Sequence, residues 1–241
     1  MMRERTAVLL RTLCLGAYVT RGLFEQALAT RTDKQETGWA RVRVVLLERW
    51  LAEQGLEEFL SEEEAADMAL PHWDSAVINR ASWRVEALGP LAWAIHLVDG
   101  IPAADALYES ASLVDRLPLQ AADIEAFLRE GRLRSADDLL WARDIAELWH
   151  WRARIEAAHR RDLLSEAEAT RRVRKIARGA FEHGAIPEPV ADDFPAFGGP
   201  FRALTDEQLP RVHSAAYQRH YALNWICGYG TGWDSTPTDT V

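Results

Sequence analysis

The chain has 241 residues, 48% of them hydrophobic and 27% charged, the make-up of a folded protein with a sizeable core. Its formal net charge of −9 and pI near 5.3 oppose phosphate backbones and anionic membrane surfaces, so neither nucleic acid nor a membrane is an expected partner. Cys14 and Cys227 lie far apart with no C-x-x-C pair, so neither a disulfide framework nor a thiolate zinc site is implied, and a reducing cytoplasm fits.

The first stretch, MMRERTAVLLRTLCLGAYV, has the outline of an export signal. Arg11 breaks its apolar run, and the spacing is that of an amphipathic helix over 5–29. Further helices are predicted over 36–54, 62–69, 76–98, 120–130, 136–161, 166–180 and 206–227. Ser61 with Glu64, Ser165 with Glu168 and Thr205 with Gln208 have capping-box spacing, and Ser75 and Ser135 fit as N-caps. No strand-type alternation, solenoid repeat or low-complexity linker interrupts them. The expected fold is all-α, one helical domain over 1–241. The longest uncharged run, Ala87 to Val98, falls short of the roughly 20 residues of a membrane span.

The stretch NRASWRVEALGPLAWAIHLVD is apolar all the way round, as a surrounded central helix must be, and Gly89 and Pro90 should kink it. Within it Arg84 and Glu86 point about 200° apart, so each needs a partner from another element. In the helix over 136–161, Trp141, Ile145, Leu148 and Ile155 form the apolar face, with Asp144 and Arg152 on or beside it. Two E-x-x-H matches, Glu147 with His150 and Glu156 with His159, share that one helix and point to opposite sides. They therefore cannot build a di-iron site, and His150 is expected on a solvated face with Arg143, Glu147 and Arg154.

One long irregular segment, IPEPVADDFPAFGGPFRAL, carries four prolines and Phe194, Phe197 and Phe201, which give it something to bury. It is expected either as a lid over a site or as a static plug. In the last helix Arg219 falls in the middle of the apolar stripe of Val212, Ala215, Ala216, Ala222, Leu223 and Ile226. An isolated buried charge costs several kcal/mol, so a carboxylate must meet it, Glu86 first and Asp234 second. Arg84, Glu86, Asp144, Arg152 and Arg219 are expected to form one buried network, with His220, Asn224 and Asp234 completing the candidate cluster. His213, Tyr217, His220 and Asn224 make an adjacent polar stripe whose two histidines, about 10 Å apart along the axis, do not hold one metal ion by themselves. Trp83, Trp93, Trp141 and Trp225 are expected in the core. GYGTGWD has neither the spacing nor the preceding strand of a nucleotide site, and no metal or cofactor is expected.

The stretches SWRVEALGPLAWAIHLVD, HWRAR, FGGPFRALTDEQ and QRHYALNWICGYGTGWDSTPTDT resemble successive motifs of the bacterial family catalogued as domain of unknown function 4272, with the similarity placed over about 38–240. The resemblance implies an all-helical cytoplasmic protein and no particular reaction. The family pattern has a glutamate directly before the arginine of the last motif, where this chain has Gln218, so a general-base role there is not carried over. Two functional readings stay open. One is a binding or interaction protein with a protein or small-molecule partner; the other is an enzyme whose pocket is formed by Arg84, Glu86, Arg219 and His220.

Overall fold

The computed structural model describes residues 1–240. Among the described residues there are nine α-helices: α1 (Arg5–Thr30), α2 (Lys34–Glu53), α3 (Glu62–Met68), α4 (Ser75–Ala94), α5 (Ser110–Val114), α6 (Glu125–Glu130), α7 (Ala136–Arg160), α8 (Glu166–Glu182) and α9 (Gln208–Ile226). The chain is all-α, with one two-residue hairpin, β1 (Pro195–Ala196) and β2 (Gly199–Pro200). The long helices pack as a row in the order α2, α1, α4, α9, α7, α8. Helices α1, α4 and α9 share the largest apolar core, and α7, α8 and α9 enclose a second with the segment before α9.

The interior place of α1 and α4 follows from their composition. By length and apolarity α1 could cross a membrane, yet most of it is buried inside this fold. It is also more than the amphipathic helix the sequence suggested, because it buries charges as well. Arg11 pairs with Glu64, and Arg21 donates to Glu48 at 2.7 Å and to the carbonyls of Met68 and Leu70 at 2.6 Å. In α4, Gly89 lets the Tyr108 ring lie against the helix, at a distance where any Cβ would collide with it.

Two predicted boundaries shift and one short helix is additional, each for a local reason. The helix expected over 76–98 ends at Ala94, because His96 adopts a left-handed φ of 63° and Leu97 N donates back to Ala92 O. That is a helix-ending turn in which a histidine takes the place usually filled by glycine. The Trp93 carbonyl accepts from His96 N at 3.0 Å and from Arg134 Nε at 2.7 Å. The helix expected over 120–130 starts at Glu125, after a left-handed Gln120 and an Asp123 carboxylate that accepts from Glu125 N. The short α5 went unread; Glu109 caps it at the N-terminus.

The segment 187–204, called the plug below, buries Asp193, Phe194 and Phe201. Asp193, wholly buried, accepts from Arg152 through both oxygens at 2.7 and 2.8 Å, and from the backbone N–H of Phe194 and Arg202. Phe194 and Phe201 are buried against Trp149, with Phe194 edge-on at 5.1 Å. Phe197 departs from the expectation: with Gly198 it forms the left-handed turn of the hairpin and stays exposed. The carboxyl-terminal segment docks as well, with Trp233 buried against Tyr221 and Trp225 and the Tyr221 hydroxyl donating to Trp233 O.

Because Arg152 and Asp193 are both buried, Asp193→Ala leaves a guanidinium whose main partner has gone. Stability should fall by about 3 kcal/mol in chemical denaturation. A loss under about 1 kcal/mol would show that the segment only rests on the surface.

Candidate functional site

Arg219 reaches the core from the middle of α9, and Glu86 meets it from α4. Its Nε and Nη2 donate to Glu86 Oε2 at 2.9 and 2.6 Å, with both side chains buried. The remaining N–H groups go to backbone: Nη1 to the carbonyls of Pro102 and Ala103 at 3.1 Å, Nη2 to Ala106 O at 2.6 Å. All five donors of the guanidinium are thereby engaged. Glu86 Oε1 accepts from Tyr108 N at 2.8 Å, so the pair grips the connection between α4 and α5 from two sides. Burial pushes the Glu86 carboxyl above its ordinary range, and Arg219 opposes that shift.

The gripped connection forms one wall of a cleft of about 360 Å³. Trp93, Trp141, Ile145 and Trp149 supply its apolar surface, Arg219 and Ala216 its floor, and Asp105 and Asp138 lie at its edge with Pro187 and Pro195 of the plug. Asp105 Oδ2 accepts from Phe197 N at 2.6 Å, which ties the plug to the gripped connection across the rim. Trp141, predicted in the core, is 44% exposed because it forms this rim; Trp93 and Trp83 are half-buried and Trp225 is buried.

The other predicted residues do not join this pair. Asp144 is 56% exposed and bonds its neighbour Arg143 at 3.0 Å, because α7 turns it to solvent. Arg152, on α7, pairs with Asp193 of the plug. Arg84 faces away from Glu86, as its angle on the helix required, and pairs with Glu63 at 2.7 Å. Asp234 is exposed and accepts from Glu63 N at 3.4 Å instead of meeting Arg219. The expected single network is therefore divided among four sites, and the cleft takes in Arg219 but not Arg84, Glu86 or His220.

His220 and Asn224 sit on the α7 side of α9. His150, expected in solvent, is buried: its Nδ1 lies 3.1 Å from Nδ1 of His220, and its ring meets His213 and Tyr217 edge-on at 5.7 and 5.5 Å. Asn224 accepts from Arg143 Nε at 2.8 Å and donates to Pro237 O at 2.8 Å. Glu156, the other E-x-x-H carboxylate, is also buried, held by Arg152 and Arg160. Burial, aided by His220 and His213, holds the His150 pKa down at about 3; burial, then Arg143, holds His220 at about 4. Among the described residues no group of three or more His, Cys, Asp or Glu side chains is placed to hold a metal ion.

The chain belongs to the family described as domain of unknown function (DUF4272), whose model matches residues 2–177. That span takes in α1, which the resemblance in sequence had left out, and ends within α8, so Arg219 and the C-terminal motifs lie beyond it. No curated protein and no solved structure matches the chain.

Two measurements follow from this geometry. Arg219→Ala leaves Glu86 buried without its cation and should cost about 3 to 5 kcal/mol at neutral pH. The deficit should shrink on acidification, since a protonated Glu86 needs no counter-charge; a pH-independent deficit would contradict the pairing. For the histidines, folded pKa values below the unfolded 6.5 mean that the unfolded chain binds the extra protons. Their contribution is present above about pH 6.5 and is lost as pH falls toward 4, with a slope of about 1.4 kcal/mol per pH unit for each. His150→Phe and His220→Asn should each flatten that slope in denaturation at pH 4 to 7; an unchanged slope would show that other groups carry the acid sensitivity.

Proposed function

We propose that the protein is a binding protein whose cleft takes a small, mainly apolar ligand with a flat ring. The observation that carries this reading is the saturation of Arg219. The one cation on the cleft floor has no donor left for a ligand, and the walls offer three indoles and aliphatic carbon. Asp105 and Asp138 at the edge favour a ligand with a hydrogen-bond donor or positive charge at one end. The same saturation argues against catalysis here, because Glu86 is held by Arg219 and Tyr108 N, and His220 is sealed against His150. Two buried, free cysteines support a reducing compartment, and the acidic charge supports a ligand or protein partner over nucleic acid.

The test is binding of a neutral solvatochromic dye, Nile red, followed by its emission and by tryptophan fluorescence. Wild-type protein should bind it with a blue shift. Ala142→Trp, which fills the cleft from a partly exposed position, should weaken binding about tenfold or more. Equal affinity in the two proteins would place the dye elsewhere and remove the support for this cleft.

A further inference from the structure

On the side of α9 away from the cleft, a groove of about 350 Å³ runs between α3, α4 and α9. Its floor is Arg84, which is 8% exposed and lies over the Tyr221 ring at 5.3 Å. Unlike Arg219, this arginine is under-used. Its Nε is buried without a partner among the described residues, Nη1 makes one long bond of 3.3 Å to Gln218 Oε1, and Nη2 donates to Glu63 Oε2 at 2.7 Å.

The surrounding groups are mostly donors. Trp83, which carries an indole N–H, and Ser214 and Tyr217, which carry hydroxyls, line the groove with His213, and Gln218, whose carbonyl oxygen faces Arg84, keeps its amide N–H₂ to give. Arg80 adds a second guanidinium, whose own carboxylate, Asp67, is already taken by Tyr18 and by both nitrogens that Arg80 presents to it. Against these donors stands one carboxylate in the lining, Glu63, which is 39% exposed and reaches Arg84 at 2.7 Å and Arg80 at 3.5 Å. It hangs from the first turn of the seven-residue α3, whereas the carboxylate of the Arg219 pair is fixed inside a long core helix.

We propose that this groove is an oxyanion site, independent of the apolar cleft, and that Glu63 holds the place of a ligand's carboxylate or phosphate. A solvent-reachable ion pair on a short helix contributes little to folding, so its carboxylate is cheaply displaced. An arriving oxyanion gains the guanidinium N–H groups of Arg84 and Arg80 that Glu63, Gln218 and Asp67 leave unused, together with neutral donors. The flanking Trp83 and Tyr217 rings suit a ligand whose oxyanion is carried on a flat body.

The full chain and its Glu63→Gln variant are titrated calorimetrically with inorganic phosphate and, separately, with benzoate. Removing the resident carboxylate should tighten at least one of them about tenfold. Tightening of phosphate alone identifies a phosphate ligand, of benzoate alone an aromatic carboxylate, and of both the shared oxyanion chemistry. Arg84→Lys, introduced into the Glu63→Gln chain, should reverse the gain. If that protein does not fold, Tyr217→Phe, which removes a groove hydroxyl without touching a buried charge, should weaken the same probe about threefold. Glu63→Gln binding neither probe more tightly than wild type, or a gain that survives the groove variants, overturns the proposal.

Discussion

Everything at the apolar cleft depends on one buried ion pair, Glu86 with Arg219. Burying two charges is costly, and the cost is met only when the geometry is good and every remaining donor and acceptor is satisfied. Here the carboxylate takes a fork from Arg219 and an amide from Tyr108, while the guanidinium spends its other donors on three backbone carbonyls. The connection between α4 and α5 has little regular structure of its own, so these bonds fix its path. With that path fixed, α4, α7 and α9 enclose a space that the side chains leave unfilled. The Arg152–Asp193 pair does comparable work in the second core, anchoring the plug whose prolines complete the cleft's rim.

Helix α9 sets three different environments around its circumference. Arg219 and Ala216 face the cleft, His220 and Asn224 face α7, and Ser214, Tyr217 and Gln218 face the groove over Arg84. A helix turned to helices on two sides leaves only narrow gaps between them, and the polar residues collect in those gaps. Burial disfavours the charged form of these histidines, and His220 and His213 beside His150, with Arg143 beside His220, add to it. They bind α7 to α9 as neutral hydrogen-bonding groups.

Much of this was legible in the sequence. Arg219 stood in an apolar stripe, and Glu86 was the carboxylate in a helix apolar all round, so their meeting followed from the cost of an unpaired buried charge. What helical periodicity supplies is the direction of a side chain; it does not say what lies in that direction. Periodicity therefore groups Arg84, Asp144 and Arg152 as inward charges, although Arg84 faces a surface glutamate, Asp144 faces solvent, and Arg152 faces an aspartate in an irregular segment. The carbonyls of Pro102, Ala103 and Ala106 carry no side-chain signal at all. Glu147 and Arg154 beside His150 read as a wetted face, whereas the crossing of α7 over α9 buries that position. The end of α4 was missed because a left-handed histidine lacks the mark that glycine would have left.

The most direct test of the clamp is amide hydrogen exchange in wild-type protein and in Arg219→Lys. A lysine in that place can still neutralise Glu86 but lacks the fork that reaches three carbonyls as well. If the guanidinium holds the connection in place, amides of residues 103–108 should exchange about tenfold or more faster in the variant, while those in the middle of α1 and α4 keep most of their protection. Unchanged exchange at 103–108 would show that the wall of the cleft stands without Arg219, and would contradict the dependence of the site on this pair.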